Sequence, residues 1–265
     1  MSDSSIPVSI IVVSHNEGHL LDLCLKPLIK CDEIILVDLE STDNTLEIVQ
    51  KWEVKYLKHK KEPIVEKIRE WAAGFAKNKW ILFVDPDEVV DPRLLIAINK
   101  ILQTDESQLA CISLPYQYYF LNHPLRGTVW GGNKQIVRMI HKDRCTINHQ
   151  VHEGFEVIPP YEKFDLRRGC DKNLVVHHYW VTDKRLFEEK HKRYLRHEGE
   201  RLHVKGRRYS ALFHHVIPIL SFVQSYIFRR GFMDGFMGIY LSYFWAMYQY
   251  KSHISLKDYE RSIQT

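Results

Sequence analysis

A chain of 265 residues that is 45% hydrophobic and 26% charged carries enough apolar side chains to bury a core, which excludes disorder as its default state. Its formal net charge of +4 is too balanced to mark a nucleic-acid binder. Five dispersed cysteines (Cys24, Cys31, Cys111, Cys145 and Cys170) form no CxxC pair, and so fit reduced thiols better than a disulfide framework or a zinc site. The polar start MSDSSIP shows no secretory signal, so the expectation is a protein working on the cytosolic side of any membrane it meets.

Through the first half, short β-branched runs alternate with helical stretches, the pattern of βαβ units and a parallel sheet. Strands are predicted at Val8 to Ser14, Glu33 to Asp38, Glu53 to Leu57 and Trp80 to Asp85. Helices are predicted between them, at Gly18 to Leu28, Asp43 to Lys51 and Ile64 to Lys77. Pro92 suits the first turn of a further helix reaching Gln103, where its missing N–H has no helical partner to lose. Ala110 to Val176 mixes strand-like runs with Gly, Pro and His and reads as strands and loops over a site. A charged helical stretch begins at Thr182, and the tail from Leu212 to Tyr250 is rich in Phe, Tyr, Ile, Met and Trp.

Polar groups gather where the strands end, and open α/β sheets bind ligands outside those carboxyl ends. Ser14-His15-Asn16-Glu17 follows the first strand. Asp38 to Thr45 follows the second; Asp38 is suited to accept from a base N–H, and Ser41 or Asp43 to cap the next helix. The fourth strand ends in Asp85-Pro86-Asp87-Glu88. Residues two apart in extended chain point the same way, so Asp85 and Asp87 are expected to converge on one cation, for which hard carboxylate oxygens suit Mg²⁺ or Mn²⁺. A solvated acidic turn is the plain alternative for a lone DxD. No GxGxxG follows the first strand, against a dinucleotide site. His149 to Glu153 (HQVHE) is neither HExxH nor HxxEH, against a zinc hydrolase.

SIIVVSHNE, EIILVDLESTDNT and WILFVDPDE, in that order, resemble glycosyltransferase family 2 over the stretch to about residue 95. The resemblance implies an α/β fold of the GT-A type, with a Rossmann-like, mostly parallel sheet and a C-terminal helical extension. It implies a catalytic domain over 1–180, with a nucleotide-binding half to about 105 and an acceptor half from 106, and an extension over 181–265. It further implies inverting, hexosyltransferase-type transfer from a nucleotide-sugar, UDP-sugar or similar. Donor-binding residues would be Ser14, His15, Asn16, Glu17, Asp38, Arg69, Asp85, Asp87 and Arg138, with Mn²⁺ or Mg²⁺ on Asp87, Asp85 and His178. Arg69 is equally readable as a surface helix arginine, and Arg138 as a partner for a carboxylate. Glu153, in a segment similar to the VHE-type motif of the lipopolysaccharide-core glucosyltransferase-like branch, would be the general base, with His152 and Glu88 meeting the acceptor. Where the family carries an acidic-acidic or acidic-serine pair after its second strand, this chain has Asp38-Leu39 followed by Glu40.

In the tail, Pro218 interrupts the first apolar stretch, Arg229 and Arg230 end it, and Asp234 sits early in the second. Neither reads as the roughly twenty-residue apolar run of a transmembrane helix. In a helix from Asp234, Phe236, Tyr240, Tyr243, Phe244 and Met247 would share one broad face. Aromatics flanked by Arg and Lys suit a helix lying among headgroups, and Lys190, Lys192, Arg193, Arg196, Arg207 and Arg208 add attraction to anionic lipid. Packing on the core, or a homo-oligomer interface through these helices, is the other reading. Arg230 to Gly235 (RGFMDG) resembles that branch's C-terminal pattern and implies a glycan or lipid-linked glycan acceptor, with the protein peripheral on the cytosolic face. Two rivals stand beside this. A sugar-1-phosphate nucleotidyltransferase wants a Gly-rich basic loop where this chain has SHNEGHLL, and a catalytically inactive membrane scaffold would transfer no sugar.

Overall fold

The structure, a computed structural model, describes residues 5–62, 64–104, 106–132, 134–147, 155–166, 171 and 174–263. The apolar run after Ile6 forms β1 (Ile6–Ser14), buried along nearly its whole length because it lies between two parallel neighbours, β2 (Cys31–Asp38) and β4 (Trp80–Val84). A strand covered on both faces shows a continuous apolar run rather than alternation. β3 (Lys55–Lys58) extends the parallel set beyond β2. It starts later than predicted because Glu53 closes the preceding helix in a left-handed conformation, φ 51°, with its N–H on the Gln50 carbonyl.

Helices α1 (Gly18–Leu28), α2 (Thr45–Trp52) and α3 (Val65–Ala73) occupy the crossovers. α3 stops short of Lys77 because the N–H groups of Phe75 and Ala76 bond three residues back, to Ala72 and Ala73, in a tighter turn. Three residues not predicted as strand form β5 (Glu88–Val90). α4 (Pro92–Thr104) begins on Pro92 as predicted, with the Asp91 carboxylate accepting from the Arg93 N–H at 2.8 Å.

The middle of the chain supplies β6 (Leu109–Phe120), β7 (His123–Pro124), β8 (Lys134–His141), β9 (Cys145–Ile147), β10 (Phe155–Val157), β11 (Glu162–Asp165) and β12 (Val176–Val181). The main sheet runs β3-β2-β1-β4-β8-β6-β12-β5, with β11 and β7 also on β6, while β9 and β10 pair separately. Its β3-β2-β1-β4 part is parallel and β8 joins antiparallel, so the fold is α/β of the GT-A type. The four described cysteines, Cys24, Cys31, Cys111 and Cys145, are free and buried.

The chain divides into two compact units, 1–116 with 134–178, and 117–133 with 179–265. The segment 117–133 thus groups with the helices. In that second unit Phe120, Leu125, Val181, Phe187 and Leu241 form the core, with Trp130, Trp180 and Phe244 packed on it. α5 (Lys184–Val204) is capped by Asp183, whose carboxylate accepts from the Arg185 N–H at 2.6 Å. α6 (Ala211–Val223) follows, and Pro218 does not end it: a proline removes one backbone bond, and the helix continues into a π turn at Gln224–Phe228. By length and composition Ala211–Phe228 is long and apolar enough to cross a membrane, unlike the expectation, and only 11% of it is buried. A short 3-10 turn, Gly231–Asp234, leads into α7 (Gly235–Ser262). The broad aromatic face expected on α7 is divided. Tyr240 and Phe244 pack on the core, whereas Phe236 and Tyr243 are exposed, and the fully covered positions are largely small: Gly238, Ser242 and Ala246.

Candidate donor site

Because Ser14 and Asp38 are register partners at the ends of β1 and β2, the loops that follow leave the sheet side by side. Asn16, in the left-handed region at φ 56°, ties them together. Its Oδ1 accepts from the Thr42 N–H at 2.7 Å, and its own N–H donates to Ser41 Oγ at 2.9 Å. His15 Nδ1 donates to the Leu39 carbonyl at 2.7 Å. Asp43 serves two helices at once, accepting from the Gly18 N–H at 2.8 Å and from the Thr45 N–H at 3.1 Å. Burial opposes the Asp43 charge, but the bonds from Thr45 and Gly18 outweigh it and hold its pKa below the usual value. Of the two caps expected, Asp43 takes the role and Ser41 becomes a loop tie. A Cβ on Gly18 would lie 2.3 Å from Asn44 Oδ1 and 3.0 Å from the Thr45 backbone nitrogen, so a larger residue there would push the exposed Asn44 side chain aside.

Asp38 is 3% exposed and is held by the Ser41 N–H at 3.0 Å and by the Tyr56 hydroxyl at 2.7 Å. Burial, reinforced by that bond, pushes the Tyr56 phenol up to about 12. Ser14 is buried, and its Oγ has no hydrogen-bond partner among the described residues.

The Asp85–Glu88 segment is a closed turn, with the Glu88 N–H on the Asp85 carbonyl at 2.9 Å. Pro86 sets that turn, so the extended-chain argument for a shared Asp85–Asp87 direction does not hold, and the two carboxylates take different partners. Asp85 is clasped by Arg69 from α3 and by Arg138 from β8, the latter at 2.8 Å. Asp87 instead lies 3.2 Å from His178 Nε2. Antiparallel pairing of β12 with β5 puts His178 opposite Glu88. Glu88 is completely buried. It accepts from the Asp85 N–H at 3.0 Å, the Tyr116 hydroxyl at 3.2 Å and Arg138 Nη2 at 3.4 Å. Expected at the acceptor, its carboxylate instead underlies the turn and sets the Asp85 backbone.

The electrostatics follow from crowding. Burial opposes the Asp85 charge, yet Arg69 and Arg138 hold its carboxyl far below the usual range. Burial, with the Asp85 charge added, pushes Glu88 up to about 7. Burial, with Asp87, Asp85 and Asp43 nearby, pushes Glu17 up to about 7 as well. Burial pulls His178 down, but its bond to Asp87 and the charges of Asp87, Glu88 and Asp85 leave it above the ordinary value. Four carboxyl groups, Glu17, Asp85, Asp87 and Glu88, thus share the site with Arg69, Arg138 and His178. Among the described residues no three His, Cys, Asp or Glu side chains stand arranged as a metal cage. Asp87 and His178 present one oxygen and one nitrogen donor toward each other, a pair that suits Mn²⁺ or Mg²⁺ completed by diphosphate oxygens and water.

Residues 9–189 match the family described as glycosyl transferase family 2. The chain belongs to that family. It is similar to the lipopolysaccharide core biosynthesis glycosyltransferase LpsC of Rhizobium meliloti, 23% identical, over 94% of this chain and 93% of that one. An uncharacterized glycosyltransferase of Rickettsia bellii is 23% identical over 95% and 86%. Among solved structures, S. aureus TarS is 25% identical with TM-score 0.35, covering 43% of this chain and 21% of that one. Glucosyl-3-phosphoglycerate synthase from Mycobacterium tuberculosis, in complex with Mn²⁺, UDP and glucosyl-3-phosphoglycerate, is 17% identical with TM-score 0.35, covering 42% and 44%.

In this glycosyltransferase the structure brings Glu17, Asp85, Asp87, Glu88, Arg69, Arg138 and His178 together, and laces Ser14, His15, Asn16 and Asp38 into the adjoining loops. His152 and Glu153 lie outside the described residues. Sequence reasoning missed Tyr56 and Tyr116, which hold Asp38 and Glu88. Both sit on strands whose register with their partners is invisible in a single sequence.

Proposed function

We propose that this glycosyltransferase moves a hexosyl group from a UDP-sugar to a hydroxyl of a lipid-linked glycan, inverting the anomeric carbon. The observation that supports it most is the meeting of the Asp85–Glu88 turn with His178 and Glu17 at the carboxyl ends of the parallel strands. The β1 and β2 loops would hold the nucleoside, with the Asp38 carboxylate aimed by the Ser41 N–H and the Tyr56 hydroxyl. Asp87 and His178 would hold a divalent cation, which supplies charge neutralisation on the departing diphosphate. Arg69 and Arg138 fix Asp85 and add positive charge beside the same group. Glu153 would take the proton of the acceptor hydroxyl as its oxygen bonds to the anomeric carbon. The bond from that carbon to the diphosphate oxygen breaks on the opposite face, and its electron pair leaves with UDP.

The lipid-linked acceptor rests on the likeness to LpsC along nearly the whole of both chains. A place on a membrane surface is supported by the exposed apolar helix α6. Calorimetric titration with UDP, with and without Mn²⁺, tests the donor site: metal-dependent binding lost in Asp87→Asn is expected. Transfer by Glu153→Gln within a few-fold of the native rate would remove the proposed base.

A further inference from the structure

The corner between α6 and α7 is built from residues too small to cover anything. A Cβ on Gly238 would fall 1.8 Å from the Gly231 carbonyl oxygen, and one on Gly231 2.9 Å from that of Ser225. Ser242 Oγ donates to Ser225 Oγ at 3.0 Å across the same contact. With the backbones this close, the large side chains of the corner have no interior to enter. Phe228 is 77% exposed, Phe232 53%, Met233 45% and Phe236 82%. Four large apolar side chains left exposed within nine residues, on a closely packed backbone, mark an interaction site.

Three arginines collar this apolar tip. Asp234, 4% exposed, accepts from the Arg126 N–H at 2.7 Å and from the Gly127 N–H at 2.8 Å. A Cβ on Gly127 would meet the Arg230 carbonyl oxygen at 2.0 Å, so the Arg126 loop is held directly against the Arg229–Arg230 turn. All three arginines are exposed, and none is ion-paired with a described carboxylate. Asp234, the acid of the corner, is buried under backbone N–H groups and leaves the collar uniformly positive.

Polarity changes along the hairpin. At the end away from the tip, Glu260 accepts from the Tyr209 N–H at 3.2 Å, and His214 packs on Tyr250 and His253. α7 carries Lys251, Lys257, Asp258 and Glu260 over that half. Although Ala211–Phe228 alone has the composition of a span, α7 beside it also packs on the charged helix α5, with Lys184 and Glu188 at Tyr240, and a spanning hairpin would carry those charges into hydrocarbon. The tip can enter a membrane interface; the base cannot.

We propose that the tip from Phe228 to Phe236 is a membrane wedge specific for an anionic leaflet. Its aromatic residues enter the headgroup–acyl boundary while Arg126, Arg229 and Arg230 engage lipid phosphates. This rests on the membrane part of the function proposed above and adds the surface, the depth and the lipid charge.

The test is flotation of the full-length protein with vesicles of phosphatidylcholine alone, or mixed with phosphatidylglycerol, at low and high salt. Two variants accompany it, Arg126→Gln/Arg229→Gln/Arg230→Gln and Phe232→Ser/Phe236→Ser, with circular dichroism confirming their folds. The native chain should favour anionic vesicles and lose that preference in high salt. The arginine variant should bind them roughly 100-fold more weakly, and the phenylalanine variant should bind neither kind. Alkaline carbonate should strip the native chain from vesicles, and resistance to it would mean a spanning helix and overturn the wedge. Equal binding to neutral and anionic vesicles, unchanged in the arginine variant, would defeat the inference while leaving a membrane location standing. No vesicle binding, with a dimer in light scattering that Phe232→Ser/Phe236→Ser splits, would assign the tip to a second copy of the chain and defeat both. Vesicle binding as expected from a protein that binds no UDP would refute only the transfer reading.

Discussion

The two units treat their difficult groups in opposite ways. In the first unit, charges are drawn inward and answered: Asp85 by two arginines, Asp87 by His178, Asp38 by Tyr56 and the Ser41 N–H. In the second, no residue of α6 is buried, and its corner turns phenylalanines outward. Apolar surface left uncovered costs free energy, as does a buried charge, and each survives where something outside the chain completes it. For the first unit that complement is a charged small molecule. For the second, the proposed wedge would find it in a broad apolar phase.

The sharpest way to break this contrast is Asp87→Asn. If the inward charges serve chemistry, sugar transfer should fall on the order of 100-fold or more, with the thermal midpoint nearly unchanged. A variant that unfolds instead would place Asp87 among the structural charges. Next in size is Gly238→Ala, which forces a methyl against the Gly231 carbonyl and should cost about 1–3 kcal/mol in urea titration. Stability equal to the native chain would mean that the corner is not rigid.

A pH series separates the units further. Folded Glu17 and Glu88 hold protons up to about 7, whereas unfolded glutamate releases them near 4.5. The folded state therefore binds more protons in that window, and stability falls as pH rises through it. His178, raised in the fold, acts in the same direction: its contribution is full below 6.5 and is lost above. His141, His177, His191 and His253, lowered by burial, act the other way, so the readout is the difference from Glu17→Gln: without divalent cation, the native midpoint relative to that variant should decline from pH 5 to 8. A difference that climbs over this range would reverse the charge balance assigned to Glu17. The smallest effect is expected from Tyr56→Phe, about 1 kcal/mol of stability from one lost hydrogen bond, with UDP affinity reduced a few-fold because Asp38 loses its guide.

What the sequence made legible follows from range. β1, β2 and β4 are doubly covered, so their apolar runs declare them, and the polar loops that follow mark the site. β5 is three residues long and exists through antiparallel pairing with β12, far along the chain, so no local pattern announces it. The partition of Asp85 from Asp87 depended on a turn at Pro86 and on arginines from two separate elements. The grouping of 117–133 with the helices rests on Asp234 reaching the Arg126 and Gly127 backbone, a contact across more than a hundred positions. Exposure of the α6–α7 corner was hidden for a related reason. Glycines and serines set the backbone spacing there, and periodicity counts only the large side chains.

Asp43 carries a consequence of another kind. One carboxylate receives the first N–H groups of α1 and of α2, so the two helices share a terminus that neither owns. A survey of substitutions scored by activity would find position 43 intolerant and credit it with touching the substrate. The same survey scored by stability should find it intolerant too, and the two loops at the mouth of the site would shift together, as one piece of furniture rather than two.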